Sequence, residues 1–178
     1  HQSLQVRQAD KDEEDFVSIS LKLIGMNYTG LKKYDSSKKY FDAGLAMCRR
    51  FGDKSGEAII LTNYASMFSY QKDYDKAVEY ALNAKSIWDE VDPNFETALE
   101  NTGALGSYYL QMAKITDTQK IVSVKPLSLT KNGLLQSAKK YLEEATQKSK
   151  VQNNHSIYTS ALASLAETNA MLGDYKNA

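Results

Sequence analysis

The chain carries two imidazoles, His1 and His155, and one thiol, Cys48. A metal or acid-base centre would need such groups clustered, for instance two histidines four residues apart on one helical face with a glutamate between them. No such spacing exists here. His155 falls in Asn153-Asn154-His155-Ser156, a polar run that reads as the start of a helix. A single cysteine allows neither an internal disulfide nor a thiolate cluster, and on a helix it serves as a small apolar packing residue. The glycines fall at turns and helix crossings, so no phosphate-cradling loop precedes a helix. Asp10-Lys11-Asp12-Glu13-Glu14-Asp15 is acidic enough to suggest a cation site. It directly precedes a helix predicted from Phe16, where carboxylates suit the positive end of the helix dipole. Asn27-Tyr28-Thr29 and Asn154-His155-Ser156 match the glycosylation triplet, but the first lies inside a predicted helix and both are discounted. Neither an enzyme nor a cofactor or metal site is expected.

Composition narrows the remaining classes. Lysine plus arginine and aspartate plus glutamate number 22 each, so the basic surface that serves nucleic acid is missing. No apolar run approaches the roughly 20 residues of a membrane-spanning helix, and no signal-peptide pattern opens the chain. A soluble segment is expected, in cytoplasm or periplasm. The excess of lysine over arginine points to an AT-rich bacterial genome.

The elements that must position any binding side chain are set by a repeat. Lys33-Tyr34-Asp35-Ser36-Ser37-Lys38-Lys39-Tyr40 aligns with Asp73-Tyr74-Asp75-Lys76-Ala77-Val78-Glu79-Tyr80, 40 residues later. The frame recurs at Leu135, Ala138 and Tyr141 and begins again at Gly173-Asp174-Tyr175 with Ala178. Upstream of each copy stands an apolar residue, a small neighbour and a later aromatic: Ile24-Gly25 with Tyr28, Tyr64-Ala65 with Phe68, Leu105-Gly106 with Tyr109. Leu165-Ala166 follows suit, with Asn169 in place of the aromatic. Spacings of three, four and seven are helical, and Gly30, Gly52-Asp53, Lys72-Asp73, Asp92-Pro93 and Gly173-Asp174 supply breaks. Helices are predicted near 16–30, 34–51, 55–71, 74–91, 94–115, 133–151 and 156–172.

Small residues at a crossing let two helix backbones approach. Gly25, Ala65, Gly106 and Ala166 should therefore sit where the first helix of a pair meets the second. Ser37, Ala77 and Ala138 should answer from the second helix, with Gly44, Ala84 and Ala145 touching the next repeat.

These motifs resemble the tetratricopeptide repeat, over nearly the whole chain. The resemblance implies an all-α fold, a right-handed α-α superhelix of antiparallel helix pairs. The 40-residue period and the linker Phe51-Gly52-Asp53-Lys54 look like the longer variety found in bacterial sensor and regulator proteins. The units are expected at 16–53, 54–92, 93–152 and, in part, 153–178, with 1–15 the tail of a preceding repeat and the segment part of a longer protein. The third unit is too long by about 20 residues. Roughly 114–133, rich in lysine and interrupted by Pro126, is expected as an extended loop or short strand that either contacts a partner or is passive.

In the resembled family, first helices line a groove for a protein or peptide. Carried over, its lining is Lys22 and Met26, then Asn63, Ser66 and Tyr70, then Ser107, Leu110 and Gln111, then Glu167 and Met171. Met26, Tyr70, Leu110 and Met171 would be the apolar anchors for an amphipathic helix or an extended segment. Lys22 and Asn63 fit the clamp by which chaperone-binding members grip a terminal carboxylate, but Met26, Glu100 and Ala104 do not, and Glu100 would repel an acidic tail. The alternatives are a peptide-signal or small-molecule receptor with a closed pocket beneath the insertion, and a scaffold that self-associates. Nucleic acid and membrane are not expected partners.

Overall fold

The computed structural model describes the backbone of residues 2–116, 122–124 and 127–173, and the side chains of 16–116 and 130–173. Seven helices occur among them: α1 (Gln2–Gly30), α2 (Tyr34–Phe51), α3 (Lys54–Tyr70), α4 (Tyr74–Val91), α5 (Glu96–Ile115), α6 (Lys131–Val151) and α7 (His155–Met171). Turns of a few residues join α1 to α2 and α3 to α4, which forces the neighbours antiparallel. The pairs α1/α2, α3/α4 and α5/α6 stack in order, and α7 packs on both α5 and α6.

Local chemistry sets the boundaries. The Asp53 carboxylate accepts from the Gly56 amide at 2.8 Å, capping α3. Asp73, Thr130 and Asn154 do the same for α4, α6 and α7. The α2–α3 turn needs a left-handed residue, which Gly52 supplies at φ 72°. Asp92 accepts from the Asn94 amide and Phe95 stays extended, so α5 begins at Glu96, two residues later than predicted.

One boundary departs further. The break expected between the preceding-repeat tail and a helix at Phe16 does not exist; α1 is continuous from Gln2. Residues 8–16 contain no glycine or proline to stop a helix, so the acidic run lies within α1 and not at its N-terminus.

The crossings follow the small residues. A Cβ on Gly25 would lie 2.5 Å from the Phe41 ring, and one on Gly106 would lie 2.6 Å from Leu142 Cγ and 3.1 Å from the Ala138 carbonyl oxygen. Ser37 Oγ donates to the Gly25 carbonyl at 2.8 Å, a contact only a short side chain on each helix permits. Ala65, Ala77, Ala84, Ala138 and Ala145 are buried. Gly44 faces Ile60 of the following pair, as its repeat position predicts. Ala166 is half-buried, and its counterpart Ala178 lies outside the described residues.

Between the pairs, Tyr64 of α3 donates to the Asp42 carboxylate of α2 at 2.5 Å, and burial together with that carboxylate pushes its phenol well above the ordinary range. Phe41, Tyr64, Trp88, Leu99, Leu105 and Leu142 are among the largest buried side chains of a core that runs the length of the stack.

Within the insertion, β1 (Val122–Val124) pairs antiparallel with β2 (Leu127–Leu129) in the register Val122↔Leu129, Val124↔Leu127. Residues 117–121 and 125–126 lie outside the described residues. Beyond pairing with each other, β1 lies against α4 and β2 against α6; among the described residues, these are the hairpin's only element contacts.

Candidate binding face

The first helices α1, α3, α5 and α7 lie side by side, each touching the next, and make one continuous face. Because alternate helices of the stack share it, residues on that face answer to the 40-residue repeat rather than to neighbours in sequence.

At the α1–α3 end the face opens into a concavity of about 590 Å³. Four expected residues meet there, Met26 from α1 and Asn63, Ser66 and Tyr70 from α3. Tyr70 is 70% exposed and Met26 44% exposed, so both apolar surfaces are presented to solvent at its rim. Asn63 donates its side-chain amide to the Ile59 carbonyl and Ser66 its hydroxyl to that of Thr62, which holds both side chains against their own helix. Thr29 and Gly30 at the end of α1 also line it, and Tyr34, Phe41 and Lys32 complete the lining; Lys32 is its one charged group among the described residues. Sequence reasoning missed these three because they come from the turn and the second helix, outside first-helix positions. Tyr108 of α5 is buried and its hydroxyl meets those of Ser66 and Ser69; burial pushes its phenol above the ordinary range.

The other expected residues are distributed differently. Lys22 lines a separate concavity of about 450 Å³ with Ser18, Ile19, Cys48 and Phe51, toward the opposite end of α1. Leu110 is 1% exposed and belongs to the core, so it is not an anchor on this face. The reason is the position of α5, which is packed by α3, α4, α6 and α7 at once and has little free surface. Gln111 is half-buried. Glu167 is held by Lys114 at 2.6 Å, an ion pair from α7 to α5. Met171 is half-buried and packs on the core. Ser107 lines a third cavity, about 260 Å³, between α5 and α7.

The family model described as Tetratricopeptide repeat matches residues 16–90, which contain the two aligned units and the crossings at Gly25 and Ala65. Residues 16–90 belong to the tetratricopeptide repeat family. Among solved structures, the chain is similar to BtubC (BKLC) from P. vanneervenii, 16% identical, with a TM-score of 0.69 over 92% of this chain and 59% of that one. At that identity the likeness establishes the helical-repeat fold. The chain spans 59% of the length of that structure. No curated protein matches the sequence.

Tetratricopeptide repeats are characteristically interaction scaffolds without catalytic machinery, so the family supports a protein-protein interaction module. Among the described residues, no helix is long and apolar enough to cross a membrane. No group of three or more potential metal ligands occurs among them either.

Proposed function

We propose that the first-helix face binds a segment of another protein, an amphipathic helix or an extended peptide, with Met26 and Tyr70 as its apolar anchors. The observation that carries this is the concavity of about 590 Å³ between α1 and α3, where two exposed apolar side chains flank the amide of Asn63 and the hydroxyl of Ser66. A few apolar anchors around fixed polar groups is the arrangement that captures a peptide side chain with defined orientation. The face lacks the clamp that grips a terminal carboxylate, which favours an internal segment of the partner over its end. Repeat units at 16–53, 54–92, 93–152 and 153–178, with the insertion carried by the third, are part of this reading.

In the cell, the module serves as the sensory or regulatory region of a larger bacterial signalling protein such as a histidine kinase or transcription regulator. The 40-residue period supports that assignment. A kinase or DNA-binding element in the adjoining coding sequence would support it further; a secretion element would oppose it.

The groove is tested by affinity capture from the source organism with wild type, Tyr70→Ala and Met26→Ala. Both substitutions should reduce recovery of the partner while leaving the thermal transition in place. Equal recovery by all three proteins would rule out this surface.

A further inference from the structure

We propose that the cleft between α5 and α7 is a subsite for a lysine or arginine side chain of the bound segment, received by the carboxylate of Glu100. The proposal rests on the reading that the first-helix face takes a peptide, and it adds the charge that the peptide must carry.

The cleft is shaped by where α5 and α7 touch. Toward their C-termini, Lys114 and Glu167 close it with an ion pair of 2.6 Å. At mid-length the hydroxyls of Ser107 and Ser164 meet at 3.2 Å. Toward the N-termini the helices leave a cavity of about 260 Å³, lined by Glu100, Ala104, Ser107, Ser156 and Ser160 among others. That space suits one long side chain rather than a whole ligand. Among the described residues Glu100 is its only charged lining residue, and the serine hydroxyls offer acceptors for the remaining N–H groups of an ammonium or guanidinium.

Glu100 is exposed, unlike Glu57, which is buried, and Glu144, which is half-buried, and it differs from both in its partners. Glu57 is met by Arg49 at 2.8 Å and Glu144 by Lys85 at 3.0 Å and Lys148 at 2.9 Å, and both are held below the ordinary carboxylate range despite burial. Glu100 has no ion pair among the described residues, and partial desolvation followed by the negative charge of Glu96 one turn earlier pushes its carboxyl up. Glu96 is itself engaged by the Asn154 amide at 2.9 Å, so it adds to the negative field without filling the cavity. A cation from outside would relieve both effects, whereas a carboxylate would worsen them. The lysine at the cleft's other end, Lys114, is committed to Glu167.

The test selects random-sequence peptides displayed on phage against the wild-type protein, then measures synthetic binders by fluorescence anisotropy against wild type, Glu100→Gln, Glu100→Lys and Tyr70→Ala. Binders should carry a lysine or arginine whose replacement by alanine weakens Kd about tenfold on wild type and little on Glu100→Gln. Selection on Glu100→Lys should return aspartate or glutamate at that place. Binders that need Tyr70 but are indifferent to both Glu100 exchanges overturn the subsite and leave the proposed groove standing. Binders that respond to Glu100 but not to Tyr70 do the reverse. Failure to select any binder, or binders indifferent to all three variants, counts against both.

Discussion

Tyr109 of α5 and Tyr141 of α6 stack with ring centroids 5.8 Å apart and planes within 6° of parallel. The same two repeat positions stack in the other pairs, Tyr28 on Tyr40 at 5.4 Å and Phe68 on Tyr80 at 5.2 Å. One ring comes from the first helix and one from the second, so the stack locks each pair just beyond its small-residue crossing. Offset aromatic pairs contribute about 0.5–1.5 kcal/mol beyond the area they bury. A double-mutant cycle of Tyr109→Leu and Tyr141→Leu in urea should give a coupling energy in that range. Additive losses would show that the rings act independently.

The crossing itself is more demanding. With a Cβ on Gly106 only 2.6 Å from Leu142 Cγ, Gly106→Ala must push α5 and α6 apart, at a cost of about 1–3 kcal/mol by overpacking. In a Leu142→Ala background the side-chain clash is gone and only the Ala138 carbonyl, at 3.1 Å, remains. The penalty of Gly106→Ala should then shrink by more than half, read from chemical denaturation midpoints. An unchanged penalty would mean that the backbone contact, not Leu142, sets the approach.

Those crossings were legible in the sequence because they are local consequences of helical period and residue size. Glycine or alanine beside an aromatic at fixed spacing has few other uses. The face was half legible. Met26, Asn63, Ser66 and Tyr70 converge as their repeat positions imply, since α1 and α3 keep the regular 40-residue offset. Leu110 does not, because its exposure depends on how many helices surround α5, and a repeat register carries no count of neighbours. The placement of the insertion was hidden for a similar reason. Its extended character follows from Pro126, but its seat against α4 and α6, on the second-helix side, depends on tertiary contacts.

Glu57 links the α2–α3 turn to pH. Burial alone would raise its carboxyl, but hydrogen bonds from Arg49 at 2.8 Å and Lys54 at 3.4 Å outweigh it and hold the group below its ordinary value of 4.5. A depressed folded-state value means stability that is fully present above the unfolded value and lost as pH falls through the folded one. Wild type should therefore exceed Glu57→Gln by about 1 kcal/mol at neutral pH, Arg49 and Lys54 being solvent-exposed. The gap should close below about pH 4 as wild type protonates. Thermal melts of both proteins between neutral pH and about pH 3 would show it, and a pH-independent gap would refute the linkage.

Cys48 borders the second concavity yet should be inert. Burial, then the nearby charge of Asp53, raises its thiol to about 11. At pH 8 roughly one thiol in a thousand is then ionised, so a disulfide reagent should label native protein far more slowly than unfolded protein. Asp53→Asn keeps an acceptor for the Gly56 amide but removes the charge, and should accelerate labelling without unfolding α3. Equal rates in wild type and variant would assign the protection to burial alone.

Two lysines occupy the left-handed turn position before α2 and α4, Lys32 at φ 57° and Lys72 at φ 61°, and Gly173 takes the same conformation after α7 at φ 78°. For a residue with a Cβ that conformation costs about 1–2 kcal/mol, and glycine returns part of the gain through its larger unfolded-state entropy. Lys72 is exposed, so Lys72→Gly should stabilise the protein by about 0.5 kcal/mol with no other effect. Lys32→Gly relieves the same strain but removes the one charged group lining the α1–α3 concavity among the described residues. The two variants should therefore gain similarly in melting temperature yet diverge in binding. Peptides selected on wild type should keep their affinity for Lys72→Gly, and those with an acidic residue seated near Lys32 should lose theirs for Lys32→Gly. Identical affinities for both variants would mean that Lys32, like Lys72, only closes a turn.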